Sequence, residues 1–511
     1  MLATSGTFAS WSYSFSPPSS DADGQAYSII AHAYDNAFKT ANTSTTSISL
    51  VHDTSGPIVA SDVFTFATGS IYLGTQTMSV TWDPSKISST GASLSSTPIE
   101  IRANFGTGVV TIASSTENDG SYDFTLPSVD TATAFLMLRA YDSIATVSNN
   151  VLSNSFAIDS TPPSISSAST MDRDADGQID AISITMSEPI IDSTLNVADF
   201  SIGAGIGIPS SIDTVTTPND TTFELRFTNT GSTATTPSIT YTQGSLADPS
   251  GRKLATTAIT PDDDAVPRLV SVSIFDDDTN GVFDRMAVRF SEAMASTSTL
   301  AGWTLSNEPS NMSISSVSVS GDTINLALSG DTIDTGTGSL AITLASSIYQ
   351  DLTGNASGNF SNQAVSDAAA PIIISANTRD SDSNGKIDAL YITLSESVPD
   401  SSVSASDFSV NGYNPLQFSA NFSGDASNDR YFYLRLTETG ATTDTNAAPQ
   451  IVYTAGGLED GRGNHLASRT MNASDGVAPK LLSRETADGD GDGRVDRIIL
   501  SYSEALGSDT S

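Results

Sequence analysis

Along most of this chain apolar side chains recur at every second position, not every third or fourth. Met286, Val288 and Phe290 alternate with their neighbours across 285–290; Phe223, Leu225 and Phe227 alternate with Glu224 and Arg226; Phe432, Leu434 and Leu436 do the same across 431–436. Period two over five to eight residues puts one face of a strand on a core and the other in water. Gly, Asn, Asp and Ser separate the runs, and no stretch carries a capped helical stripe. About seven such runs fall in each stretch of about 105 residues, as in an immunoglobulin-like sandwich. The predicted fold class is all-β: tandem immunoglobulin-like β-sandwiches in an elongated array.

The tandem reading comes from internal repetition. An Asp followed within a few residues by Pro recurs at Asp53/Pro57, Asp159/Pro162, Asp264/Pro267, Asp367/Pro371 and Asp475/Pro479, so the prolines are spaced by 105, 105, 104 and 108 residues. Proline fixes φ and bars helix continuation, which suits a short stiff connector before a first strand. Repetition at fixed period is the signature of an array. The expected divisions are 1–56 (the end of one domain), 57–161, 162–266, 267–370, 371–478, and a truncated repeat at 479–511. Because the chain stops about 35 residues into that repeat, it reads as a segment of a larger protein.

A nine-residue pattern, Asp-x-Asp-x-(Asp/Asn)-Gly-x-apolar-Asp, recurs at 172–180, 276–284, 380–388 and 488–496, and successive copies start 104, 104 and 108 residues apart. Oxygen ligands at positions 1, 3, 5 and 9, a main-chain carbonyl at 7 and a Gly at 6 for the sharp turn describe most of a calcium loop. The candidate ligands are Asp172, Asp174, Asp176, Gln178 and Asp180; Asp276, Asp278, Asn280, Val282 and Asp284; Asp380, Asp382, Asn384, Lys386 and Asp388; Asp488, Asp490, Asp492, Arg494 and Asp496. Position 12, where an EF-hand has a bidentate Glu, is Ser183, Ala287, Tyr391 or Ile499, so each loop lacks one strong ligand. Asp, Asn and Gly also form ordinary turns. Four copies at constant phase, each with an apolar residue at position 8 (Ile179, Phe283, Ile387, Val495), favour Ca2+.

After each loop a strand ends in Ser-Glu, at Glu188, Glu292, Glu396 and Glu504, and late in three repeats comes an Asp-Gly turn at Asp248/Gly251, Asp351/Gly354 and Asp460/Gly463. In order, these motifs resemble the bacterial Ig-like domains of S-layer and large cell-surface proteins, over residues 162–511. Residues 57–161, with Thr81-Trp82-Asp83 and Ala140-Tyr-Asp142, resemble a related Ig-like or fibronectin-III-like module without the loop. The segment Ala33-Tyr34-Asp35-Asn36-Ala37 resembles the end of another. The resemblance implies a structural segment, a stalk or S-layer-like stretch, at the cell surface or outside the cell. The alternative is an adhesin or carbohydrate-binding segment of a secreted enzyme. Partners are then neighbouring domains of the same larger protein, with a cell-surface polysaccharide or host receptor under the alternative.

Each Glu stands eight residues beyond its loop's last Asp, about 26 Å along an extended strand, so it cannot serve its own loop. The expectation is that each loop lies at the exit pole of its sandwich, facing the Glu and the Asp-Gly turn of the next. The loop at 276–284 would then face Glu396 and Asp460.

Composition narrows the rest. Fifty-eight acidic residues against 21 basic ones give a formal charge of −37, which disfavours nucleic acid and anionic membrane as partners. There is no cysteine, and therefore neither disulfide nor thiolate metal site. No apolar run reaches about 18 residues, and no signal peptide is visible at the start. His32, His52 and His465 have no partner at metal-ligand spacing, and the chain carries no Gly-x-Ser-x-Gly elbow, P-loop or His-Glu-x-x-His, so no enzyme is expected. Trp82 and Trp303 read as core residues rather than sugar platforms.

Overall fold

The computed structural model describes residues 14–507, apart from 19, 22, 31–46, 66–68, 215–216, 310, 346–347, 420–425, 439 and 441. The Ala33–Ala37 segment and His32 lie outside the described residues.

Residues 162–266 set the pattern. Their strands are β1 (Ile165–Met171), β2 (Ile179–Met186), β3 (Phe200–Ile202), β4 (Ser211–Asp213), β5 (Thr222–Thr230), β6 (Ile239–Tyr241) and β7 (Thr257–Ile259). One sheet has the order β1-β2-β5-β4 and the other β3-β6-β7, the two-layer arrangement of a constant-type immunoglobulin domain. Alternation decides which residues face inward: Ile182, Ile184, Phe223 and Leu225 of the first sheet and Phe200, Ile239 and Tyr241 of the second share one core. The Tyr241 hydroxyl is buried at the end of β6 and accepts the N–H of Gly244 at 3.0 Å, which satisfies a polar atom inside that core.

The same sheet orders recur twice. In 267–370 the strands Leu269–Phe275, Arg285–Phe290, Thr323–Ser329 and Ser313–Ser320 form one sheet, with the two-residue strand Ser366–Asp367 added parallel to the first, and Trp303–Ser306, Ala341–Leu344 and Phe360–Ala364 form the other. In 371–478 the central pair is Ala389–Leu394 with Tyr431–Thr437. Residues 57–161 differ: long strands Leu94–Asn104 and Thr131–Asp142 pair at the centre of one sheet, and Thr77–Thr81 pairs with Ser121–Thr125 opposite. Each of these four stretches encloses its own apolar core. Trp82 and Trp303 lie inside the first and third, at 2% and 8% exposure. Beyond 479 the described residues form a hairpin, Leu481–Ala487 with Arg497–Tyr502, whose apolar side chains are largely exposed. The only helical elements among the described residues are single 3₁₀ turns, and none is long and apolar enough to cross a membrane.

Candidate metal centres

All four nine-residue loops adopt one conformation, each joining the first two strands of its repeat. The aspartate at position 1 accepts the N–H groups of positions 5 and 6: Asp176 and Gly177 at 3.2 and 3.1 Å on Asp172, Asn280 and Gly281 at 3.1 and 2.8 Å on Asp276. Asp380 and Asp488 do the same. Position 9 reaches back to the N–H of position 2, as Asp180 does to Arg173 at 2.9 Å and Asp284 to Asp277 at 2.8 Å. Position 5 accepts from the N–H of position 7, Gln178, Val282, Lys386 or Arg494. These bonds hold the carboxylates on the inside of a tight turn. Carboxylate oxygens of Asp172, Asp174 and Asp176 lie within 4.8 Å of one another, as do those of Asp276, Asp278 and Asp284. Oxygen-only donors at that spacing suit a hard cation such as calcium. The turn requires positive φ at position 4 (Ala175 +63°, Thr279 +57°, Ser383 +62°) and at the glycine (Gly177 +90°, Gly281 +91°, Gly385 +88°). At position 8, Ile179, Phe283 and Ile387 are buried and tie each loop to its core.

Two loop neighbours escape sequence reasoning. The Asn229 amide donates to Asp174 and Asp176, and Asn384 donates to Glu438 at 2.8 Å. Both partners stand at the end of the fifth strand, more than 50 residues away, and only strand pairing brings them in.

The loops meet the start of the following repeat. Arg268 Nε donates to Asp172 at 3.3 Å, and Lys480 Nζ donates to the Ser383 carbonyl at 3.0 Å. A Cβ on Gly281 would stand 2.8 Å from Ile372 Cδ1. The expected pairing of loop with Glu does not form, however. Glu396 and Asp460 gather with Asp367 instead of the 276–284 loop, Glu292 and Asp351 gather with Asp263, and Glu188 and Asp248 with Asp159. The reason is local. The Asp three or four residues before each proline closes the upstream repeat, so it is the upstream group nearest the entry pole. At the second joint the group contains Asp263 and not Asp264, the residue marked in the sequence.

A serine and a threonine complete three of the joints. In each Ser-Glu pair the Ser hydroxyl accepts a main-chain N–H of its own repeat, as Ser291 does from Arg268 and Ser395 from Ile372, both at 2.9 Å. In three of the four it also bonds a threonine of the preceding repeat: Thr233 with Ser291 at 2.6 Å, Thr335 with Ser395 at 2.6 Å, Thr445 with Ser503 at 2.7 Å. These threonines are fully buried, so a hydroxyl pair bridges each of these three joints. Sequence gave no sign of them, because the loops that carry them differ in length.

The carboxylates at the joints are electrostatically loaded. Burial, then Asp159 and Asp248, push Glu188 up to about 7. Burial, only partly offset by a hydrogen bond from Thr233, raises Glu292 to about 7. Burial and the neighbouring Asp367 and Asp460 raise Glu396 to about 8, and burial lifts Asp367 itself to about 6. Asp351 goes the other way: burial pushes it up, but hydrogen bonds from Asn355 and Thr353 more than offset that. At an effective dielectric constant near 20, two ionised carboxylates at this separation repel by about 3 kcal/mol.

No protein-family model matches the chain, and no curated protein matches it. Among solved structures it is similar to invasin, a bacterial integrin-binding protein, at 12% identity over 82% of this chain and 81% of that one, with a TM-score of 0.23. The surface layer protein SbsC, domains 1–6, matches at 12% identity over 89% of this chain and 58% of that one, with a TM-score of 0.13. The BSP domain of a biofilm associated protein matches at 9% identity over 81% and 99%, with a TM-score of 0.13. Superpositions this loose leave the description of the fold to the strand order itself.

Proposed function

We propose that this chain is a calcium-binding structural segment of a large bacterial surface or secreted protein, in which ions in the four loops fix the first hairpin of each repeat. The observation that carries this reading is the shared loop geometry, with aspartate carboxylates converging inside a turn braced by main-chain N–H groups. Asp172, Asp276, Asp380 and Asp488, with the third, fifth and ninth residues of each loop, would hold the ions, and water would complete the shell in place of the missing position-12 carboxylate. Calcium outside cells is abundant enough for sites of modest affinity. The acidic composition and the absence of cysteine suit that location.

One observation favours the alternative, a glycan-binding segment. On the outer face of the 371–478 unit, Tyr391 stacks on Tyr431 with ring centroids 5.5 Å apart and meets Tyr433 at 4.9 Å, and Arg379 lies over the Tyr391 ring. The counterpart of Tyr391 in the other repeats is Ser183, Ala287 or Ile499, so this strip belongs to one unit while the loops belong to four. The test is glycan-array binding by the whole chain beside a Tyr391→Ser/Tyr433→Ser variant. The structural reading expects no glycan signal. A signal that the variant abolishes would replace it with the binding one.

A further inference from the structure

We propose that the carboxylates gathered at the joints, Asp263 with Glu292 and Asp351, and Asp367 with Glu396 and Asp460, form a second set of calcium sites, each built jointly by two successive repeats. The inference goes beyond the loop reading and stands without it.

In each group one carboxylate oxygen per residue lies within 4.8 Å of the others. The first residue of each belongs to the end of the upstream repeat; the Glu closes the second strand of the downstream repeat, and the last Asp heads its late turn. That Asp is held by its own turn: Asp351 Oδ1 accepts from Thr353, Gly354 and Asn355, and Asp460 Oδ1 from Arg462 and Asn464. Its second oxygen, Oδ2, accepts the side-chain amide of Asn355 at 2.9 Å or of Asn464 at 2.7 Å, and the same amides donate to the upstream Asp263 and Asp367 carbonyls, which ties the turn to the joint. A second observation points to a missing partner. Glu292 is 4% exposed, and its Oε1 has no hydrogen-bond donor; at the first joint Asp248 is fully buried and its Oδ2 has none. A buried carboxylate oxygen without a donor costs on the order of a lost charged hydrogen bond, so native structures supply it with a partner. A hard divalent cation satisfies the unmet oxygens and cancels the repulsion together, and calcium tolerates an irregular shell completed by water.

The first joint is the internal contrast. Arg252 stands where the other two turns have Asn355 and Asn464, and it donates from Nε to the Asp159 carbonyl at 3.2 Å and from Nη2 to the Gly74 carbonyl at 3.3 Å. Its guanidinium acts on Glu188 as a positive charge, so that joint should bind calcium about tenfold more weakly.

The test uses the whole chain, stripped of metal and dialysed against millimolar calcium, with bound ions counted. A Glu292→Gln/Glu396→Gln variant, with all four loops intact, should bind two ions fewer. It should also lose part of the calcium-dependent rise in melting temperature, while melting no lower than the parent in chelator, because Gln removes a desolvated charge. An unchanged ion count, or an unchanged calcium-dependent rise, overturns the proposal. If that variant melts lower in chelator, an Asp263→Asn/Asp367→Asn variant at the half-buried upstream groups decides by the same two readings. Loop variants separate the two readings: losing no ions on Asp276→Asn/Asp380→Asn counts against the loops and leaves the joints standing.

Discussion

Replacing Gly281 by alanine tests whether a loop is also part of a joint. Gly281 sits at φ +91°, which costs an L-residue about 1–2 kcal/mol. Its new Cβ would also meet Ile333 Cγ2 and Ile372 Cδ1, each at 2.8 Å, and Ile372 is packed into the core of the following repeat. Forcing a methyl into packed side chains costs a further ~1–3 kcal/mol. The sum of about 2–5 kcal/mol should lower the melting transition of the 267–370 unit by roughly ten degrees or more. Gly321→Ala in the same unit is the control: φ is +61° and nothing stands within 4 Å of its Cβ position, so only the backbone cost applies. Hydrogen exchange read by mass spectrometry should show Gly281→Ala loosening strand Ile373–Arg379 of the next repeat, and Gly321→Ala leaving it untouched. Equal losses for the two variants, with exchange in 373–379 unchanged in both, would refute the idea that the loop bears on its neighbour.

Two further outcomes follow. Thr335→Val keeps the shape but strands the Ser395 hydroxyl and the Glu396 oxygen that Thr335 serves; a loss of about 1–3 kcal/mol from the adjoining units is expected in urea unfolding, and Thr335→Ser should restore most of it. In metal-free protein, Glu292 and Glu396, raised to about 7 and about 8, hold protons that the unfolded chain releases near ~4.3. Their contribution is therefore fully present below that lower value and is lost as pH rises through about 7–8. With Asp367, Asp460 and Asp334 facing Glu396, the urea midpoint should be higher at pH 5.5 than at pH 8.5, and saturating calcium should flatten the difference; a midpoint that rises with pH in chelator contradicts the assignment.

The fold was legible because its signal is local. Alternation in Arg285–Phe290 and Tyr431–Thr437 marks strands whose inward residues must share a core, and repetition multiplies each weak motif by its copies. The shared conformation of the loops was legible for the same reason, since the residues at positions 1, 3, 5 and 9 lie within one short stretch of sequence. What stayed hidden depends on pairing across distance. Asn229 and Glu438 reach the loops from the fifth strand, and Thr233, Thr335 and Thr445 reach the next repeat from loops of unequal length. The destination of Glu396 was misjudged because distance along a strand says which pole a residue occupies, but not which upstream group the connector delivers there. Asp367, two residues of strand and four residues before the proline, is that group.

The central claim is that the nine-residue loops hold calcium, and thermal unfolding of the whole chain tests it most directly. Sites of about 10⁻⁴ M affinity in millimolar calcium should each stabilise their repeat by roughly 1.4 kcal/mol. Melting in millimolar calcium should therefore exceed melting in excess chelator by several degrees. An Asp172→Asn/Asp276→Asn/Asp380→Asn/Asp488→Asn variant should forfeit most of that gain. Identical melting in calcium and chelator, or a gain that the loop variant retains in full, would contradict the account.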